Sequence, residues 1–285
     1  MSDGTFSMSV AVTKEVIELT ETIQKTTEAA GPAISISAEP LFHIGWFTVT
    51  NSMLLAFITL ILFSIFALVL RKGIKLIPGK IQNIFETIVD ALLDLMESVY
   101  GSRAKAEKYF PLIATIFLFI MISNWLGLLP GVGSIGINGI HNGHEAFIPL
   151  FRAPAADLNF TIAIAIVSVL ATNIFGIMAI GFVKHFKKFF NMQKPFPVIS
   201  FVGILEFISE FVKIVSFSFR LFGNVFAGEV LLIIIAFLVP YWFPASVPFL
   251  FLELFVGFMQ AFIFSMLTMV FIGMSIVDHN EEHSH

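Results

Sequence analysis

Cysteine is absent from this 285-residue sequence, and charged residues are scarce. Without cysteine, the chain has no disulfides, no thiolate metal sites and no thiol nucleophile. Charged residues make up 13% of the chain and hydrophobic residues 57%, whereas about a quarter of a typical soluble domain is charged. The net charge of -4 gives no indication of nucleic-acid binding. This composition indicates an integral membrane protein.

Long apolar runs recur along the chain, and each is long enough to cross a bilayer as a helix of about 20 residues. The five predicted spans are 53–70, 111–129, 160–183, 201–239 and 249–277. They predict an all-α integral membrane protein in which the last two spans form a long, tilted helical hairpin. Residues 1–40 are predicted as an extramembranous N-terminal segment without an obvious secretory signal, and residues 41–285 as the membrane domain.

A further helix is predicted at about 81–100, where apolar and acidic residues form two separate stripes at helical spacing. Such an amphipathic helix lies along the membrane surface or packs on a partner, and the pattern leaves both alternatives open. Lysine and arginine follow the first span from Arg71 and the third span from Lys184. The positive-inside rule therefore predicts an outer N-terminus and a cytoplasmic C-terminus.

The fourth predicted span carries ionisable residues, which are costly inside a bilayer and usually mark an ion path. Its length of about 58 Å at 1.5 Å per residue exceeds a hydrocarbon core of about 30 Å, so a tilted or bent helix is expected. Steps of three and four residues place six polar side chains on one face: Glu206, Ser209, Lys213, Ser216, Arg220 and Asn224. Glu229 lies on the opposite face, which suggests a helix between two aqueous pockets.

The last predicted helix offers Glu253 and Gln260 on one side, with Gly257 between them. We expect Glu253 to approach Glu229 near the outer side, and Gln260 to hydrogen-bond or brace Arg220. A guanidinium stays protonated and so cannot itself carry a proton. It can attract a passing carboxylate and promote loss of its proton, so Arg220 predicts a partner that brings a carboxylate past it.

Other interpretations of these residues remain open at this stage. A free-standing transporter would need a substrate pocket and usually repeated halves, and an assembly scaffold would not need so much buried charge. Arg220 could instead pair with Glu206, and Lys213 could extend to the cytoplasmic surface. His141 and His144 form an H-x-x-H pair without further ligands, so neither a metal nor a cofactor is predicted. There is no phosphate-binding G-x-x-x-x-G-K-[ST] motif.

Two stretches, SFSFRLFGNVFAGEVL at 216–231 and MQAFIFSMLTMVFIG at 259–273, closely resemble the a subunit of F-type ATP synthases. The resemblance extends to PLIATIFLFIMISNWLGLLP, to APAADLNFTIAIAI and to the order of the spans. It covers most of the chain after about residue 40. AGE following RLFGNVF is typical of bacterial members, which implies the bacterial plasma membrane. Many relatives pair a carboxylate with a histidine where this chain has Glu229 and Glu253.

The resemblance implies a stator subunit with two offset aqueous half-channels, which is not an enzyme on its own. Arg220 would be the essential arginine facing the c-subunit ring, and the other partners would be peripheral-stalk b subunits, further ATP synthase subunits and the lipid bilayer. The positions implied to line the proton path are Asn224, Glu229, Glu253, Gln260, Glu206, Ser209, Ser216, Asn124, Asp157 and Asn159. The sequence leaves open whether protons or sodium ions are carried.

Overall fold

The computed structural model describes residues 37–45, 47–73, 79–129, 131–133, 135–141, 144–183, 198–239 and 246–276. Six α-helices occur within these ranges: α1 Asn51–Gly73, α2 Lys80–Tyr100, α3 Arg103–Gly127, α4 Leu158–Ile180, α5 Val198–Leu238 and α6 Ser246–Ile276. All except α2 are long and apolar enough to cross a membrane. The predicted all-α membrane fold with five spans is therefore confirmed.

The helix boundaries differ from the predicted ones mainly at α3, which begins at Arg103, before the predicted span 111–129. Its first turns carry charged residues and Pro111 lies inside the helix, so a prediction based on apolar runs starts too late. The amphipathic helix predicted at 81–100 is α2. Gly101 ends it with φ 67°, a left-handed conformation that suits glycine. The chain then turns directly into α3.

Two short antiparallel hairpins, which the sequence analysis did not predict, lie outside the spans. One pairs β1, Pro40–Ile44, with β2, Phe47–Thr50, and the other pairs β3, Gly136–His141, with β4, His144–Pro149. A 3-10 turn at Pro154–Ala156 then leads into α4. The division into residues 1–40 and 41–285 stays a prediction, since residues 1–36 lie outside the described ranges.

Helix α6 is the centre of the bundle and contacts α2, α3, α4 and α5. A core of buried side chains joins α3, α4, α5 and α6: Ile120, Ala165, Leu221, Ala261 and Phe264 are among its members. Helix α2 packs on this bundle through Tyr100, whose hydroxyl donates to the Met269 carbonyl oxygen at 3.1 Å. Burial raises the pKa of Tyr100, so this donor stays protonated. Of the two alternatives for this amphipathic helix, packing against a partner therefore describes its apolar side, and the partner is the helix bundle itself.

Candidate functional site

Arg220 lies on the outward face of α5, where its side chain is exposed. Its Nη2 donates to Ser216 Oγ, one turn earlier, at 3.3 Å. The alternative pairing with Glu206 is not seen, and Arg220 makes no ion pair with any described residue. Exposed apolar side chains flank Arg220 on α5, namely Val212, Phe219 and Leu231. A fixed positive charge therefore stands within an apolar surface that is open to a further partner.

Asn224 and Gln260 join α5 to α6 one turn beyond Arg220. Asn224 Nδ2 donates to Gln260 Oε1 at 2.6 Å. Gln260 is 2% exposed, and its Nε2 has no hydrogen-bond acceptor among the described residues. Gln260 therefore does not hydrogen-bond to Arg220 as expected, since it accepts from Asn224 while Arg220 donates to Ser216.

Glu253 of α6 is buried where α5 and α6 approach each other closely. Its carboxyl group lies against Gly228, at a place that a Cβ atom on this glycine would occupy. Gly228 immediately precedes Glu229, so both carboxyl-bearing residues lie at the same level of the α5–α6 contact. The sequence led us to expect Glu253 near Glu229, because the two residues flank the turn between these helices.

Glu229 is bound by an arginine that the sequence analysis did not single out as a site residue. Arg152 Nε lies 3.1 Å from Glu229 Oε1 and 3.2 Å from Oε2. Arg152 is 7% exposed, and its Nη1 also donates to the Ser37 carbonyl oxygen at 2.9 Å. Its signal in the sequence was weak, because a single arginine in a Gly-rich loop normally lies in solvent.

Asn124, Asp157 and Asn159, which the resemblance implies to line the proton path, lie in two different places. Asn124 is at the contact of α3 with α6, and the other two are at the start of α4. Asn124 of α3 donates from Nδ2 to the Gly257 carbonyl oxygen of α6 at 3.2 Å, and its Oδ1 is buried without a donor from the described chain. Asp157 caps α4 instead: its Oδ1 accepts from the Asn159 backbone N–H at 2.9 Å, and its Oδ2 accepts from Ser52 Oγ at 2.5 Å. The Asn159 side chain is exposed.

The cytoplasmic part of the stripe on α5 consists of the half-buried Glu206 and the exposed Ser209 and Ser216. Beside it, Glu210 Oε1 accepts from Lys213 Nζ at 2.6 Å. Glu210 Oε2 also accepts from Asn173 Nδ2 of α4 at 3.1 Å. Asn173 therefore makes the interhelical hydrogen bond expected of a lone asparagine in a span. Lys213 does not extend to the surface: its Nζ lies 4.7 Å from the centre of the Phe271 ring.

Five apolar helices, with ionisable side chains at the contact of the last two, define a multi-pass membrane protein that handles ions. Residues 52–273 match the family described as ATP synthase A chain. The chain belongs to this family.

Curated relatives named ATP synthase subunit a support this assignment. The protein from Syntrophobacter fumaroxidans is 36% identical over 214 residues, covering 75% of this chain and 77% of the relative. The protein from Campylobacter jejuni, serotype O:6, is 34% identical over 238 residues, covering 83% and 90%. The protein from Helicobacter pylori, strain P12, is 33% identical over 236 residues, again covering 83% and 90%.

Membership of this family confirms the resemblance seen in the sequence and excludes the free-standing transporter and the scaffold. The chain is the proton-conducting stator subunit of the membrane sector of an ATP synthase. It translocates protons, while the chemistry of ATP takes place in another part of the complex. Subunits of that complex are accordingly its partners.

Proposed function

We propose that protons cross this subunit through two half-channels that are separated at Arg220. The observation that carries the proposal is the isolated charge of Arg220 on the outward face of α5, with polar side chains on either side of it along the helix. The outer half-channel is assigned to Glu229, Glu253, Asn124, Gln260 and Asn224. The half-channel on the cytoplasmic side is assigned to Glu206, Ser209 and Ser216.

In this proposal Asp157 and Asn159 position the start of α4 beside the 3-10 turn, where the Asp157 carboxylate caps the helix by accepting from the Asn159 backbone N–H. That turn contacts α5 and α3 as well as α1. The hydrogen bond from Ser52 of α1 to Asp157 joins two helix ends at the outer side. These groups therefore hold the wall of the outer half-channel, and Asn124 is the member of this set that reaches α6.

The partner that Arg220 requires is a ring of c subunits, each with a membrane-embedded carboxyl group. A permanently charged guanidinium attracts the carboxylate form and thereby promotes release of its proton to the cytoplasmic half-channel. The same charge repels a proton that would pass directly between the two half-channels. The exposed apolar side chains around Arg220 suit a ring surface that slides past, because they make no directional bonds.

The proposed orientation places the N-terminus outside and the C-terminus in the cytoplasm of a bacterium, with the protein in its plasma membrane. Support comes from the basic residues after the first and third spans. The other proposed contacts are with peripheral-stalk b subunits and the lipid bilayer. The exposed apolar residues of α1, such as Phe57, Ile65 and Val69, suit the bilayer.

The test is ATP-driven acidification of vesicles that hold the assembled complex, with Arg220→Ala compared with wild type. We expect pumping to be lost while the complex still assembles, because the substitution removes an exposed side chain that the bundle does not need for packing. Arg103→Ala is the matched control, since the ion pairs of Arg103, with Asp90, Asp94, Glu97 and Glu107, are all exposed. Undiminished pumping by Arg220→Ala would contradict the proposed role.

A further inference from the structure

The ion pair between Arg152 and Glu229 joins the loop before α4 to the outer part of α5. The side chains are 6% and 28% exposed respectively, so the pair is largely screened from solvent. The guanidinium group also lies 5.8 Å from the centre of the Phe226 ring, one turn before Glu229. Together with the bond to the Ser37 carbonyl oxygen, these contacts surround Arg152 with partners from three separate parts of the chain.

A buried guanidinium is stable only when its charge is compensated, because it cannot lose its proton. The Ser37 carbonyl and the Phe226 ring offer partial charges, whereas Glu229 offers a full negative charge. Among the described residues, Glu229 supplies the negative charge that compensates the buried Arg152. Any proton that binds Glu229 has to compete with the guanidinium group for both carboxylate oxygens.

Glu253 has different surroundings, although it lies at the same level of the helix pair. Among the described residues, no hydrogen-bond donor and no cation contacts its carboxyl group. Its carboxyl group occupies the space beside Gly228 that a Cβ atom there would fill. Among the described residues, Arg152 from the loop is the ionisable group in contact with Glu229, whereas Glu253 of α6 lies against the preceding residue, Gly228, and Arg220 on the same helix points the opposite way.

We propose that Arg152 is a positioning residue of the outer half-channel, which holds Glu229 as a constant counter-charge and leaves Glu253 to exchange protons. A proton leaves a hydronium ion on the outer side, bonds to a Glu253 carboxylate oxygen and then passes to a carboxylate carried by the ring. Glu229 keeps its negative charge during these steps as the partner of Arg152 and does not itself take up the proton. This inference rests on the proposed function, of which it specifies the outer half.

The test is a set of neutral substitutions in the assembled complex, with proton pumping expressed per assembled complex. We expect Arg152→Gln and Glu229→Gln each to lower pumping about tenfold, because each leaves a buried charge without its partner. The double variant Arg152→Gln/Glu229→Gln should recover to within about threefold of wild type, since neither charge is then left unpaired. Glu253→Gln should abolish pumping, and adding Arg152→Gln should not restore it.

Several outcomes would overturn the proposal. If the double variant is as poor as the product of its two single variants, Arg152 does not act through Glu229. If Glu253→Gln pumps normally, Glu253 is not the exchanging group. If the double variant does not assemble, Arg152→Lys decides, because lysine retains a positive charge on this side chain: retained pumping supports the counter-charge role and lost pumping refutes it.

The same experiment separates this inference from the proposed function through Arg220→Ala. Normal pumping by Arg220→Ala would refute the two half-channels whatever Arg152 does. Loss of pumping in Arg220→Ala, together with a double variant that does not recover, would refute only the role of Arg152. Arg103→Gln provides the matched control for loss of an arginine, since its ion pairs are exposed and contribute little.

Discussion

The position of the Glu253 carboxyl group depends on a single missing atom. Gly228 has no Cβ, and the Glu253 carboxyl group occupies the space where that atom would lie. The neighbouring atoms are the far end of a flexible side chain and not backbone. A methyl group at residue 228 would therefore displace the carboxyl group without forcing the helices apart. Position and stability can be separated experimentally at this residue.

We expect Gly228→Ala to assemble normally but to pump at least about tenfold more slowly, since a small misplacement of a reacting group can cost that much or more. Acidification by vesicles, expressed per assembled complex, measures the effect. Gly133→Ala is the control, because no atom lies within 4 Å of a Cβ atom built there. Wild-type pumping by Gly228→Ala would show that the carboxyl group of Glu253 need not occupy its observed place.

Gly127→Ala should have the opposite result, with less assembled complex and normal pumping in the fraction that assembles. A Cβ atom at residue 127 would lie 2.5 Å from Ala153 Cβ and 2.9 Å from Ala153 Cα. Backbone atoms cannot move aside as a side chain can, so overpacking of about 1–3 kcal/mol is expected. The yield of complex extracted from membranes measures this loss, and an unchanged yield would contradict the packing argument.

The residues of the site were predictable to the extent that they share a helix. Arg220, Asn224 and Ser216 follow from helical spacing on α5, and the approach of Glu253 to Glu229 follows from two helices joined by a short turn. Arg152 could not be found in this way, because it lies 77 residues before its partner and comes from a loop. The capping role of Asp157 likewise depends on where α4 begins, which an apolar run locates only within a few residues.

At the scale of elements, hydroxyl groups join α4 to α6 inside an otherwise apolar contact. Ser168 Oγ and Thr268 Oγ1 lie 2.8 Å apart, and Ser275 Oγ donates to the Thr172 carbonyl oxygen at 3.1 Å. All four residues are buried. In a bilayer the hydrophobic effect does not drive helices together, because lipid tails are as apolar as the side chains. Close packing of small residues and hydrogen bonds between hydroxyl groups therefore contribute more to helix contacts.

Ser168→Ala should destabilise the subunit by about 0.6–1.7 kcal/mol, the range typical of hydrogen bonds between membrane helices. Pumping per assembled complex should not change, because neither partner contacts the proposed path. Ser64→Ala is matched in chemistry, but Ser64 is exposed and donates only to Leu60 of its own helix. The midpoint temperature for loss of the complex in detergent compares the two. Equal midpoints would mean that the α4–α6 hydrogen bond contributes nothing measurable.

The membrane helices were predictable because each apolar run is about as long as a helix needs to be to cross a bilayer. The hairpins at Pro40–Thr50 and Gly136–Pro149 were not, since their strands are short and rich in glycine or flanked by it. Whether two strands pair depends on contacts between them, and the residue pattern within one short strand does not show those contacts. The contacts of α6 with four other helices are also a property of the tertiary structure, because apolar residues occur all round this helix and do not show which neighbour each face meets.

At the scale of the whole molecule, the structure places several distant segments at one end of the bundle. Asn51 at the start of α1 donates from Nδ2 to the Pro149 carbonyl oxygen of β4. Arg152 at the same end binds Glu229 of α5. At the other end, Arg103 binds Asp94 between α2 and α3. The positive-inside rule assigns the end with Arg152 to the outside and the end with Arg103 to the cytoplasm.

The absence of cysteine makes this orientation directly measurable, because the wild-type chain gives no background with thiol reagents. Gly133 follows α3 at the first end and Gly79 precedes α2 at the second, and a Cβ atom has open space at both. We expect a membrane-impermeant maleimide to label Gly133→Cys in intact cells. Gly79→Cys should react only in inverted vesicles. The reverse pattern would place Glu229 and Glu253 on the cytoplasmic side, so that these carboxyl groups would belong to the proton exit during ATP synthesis.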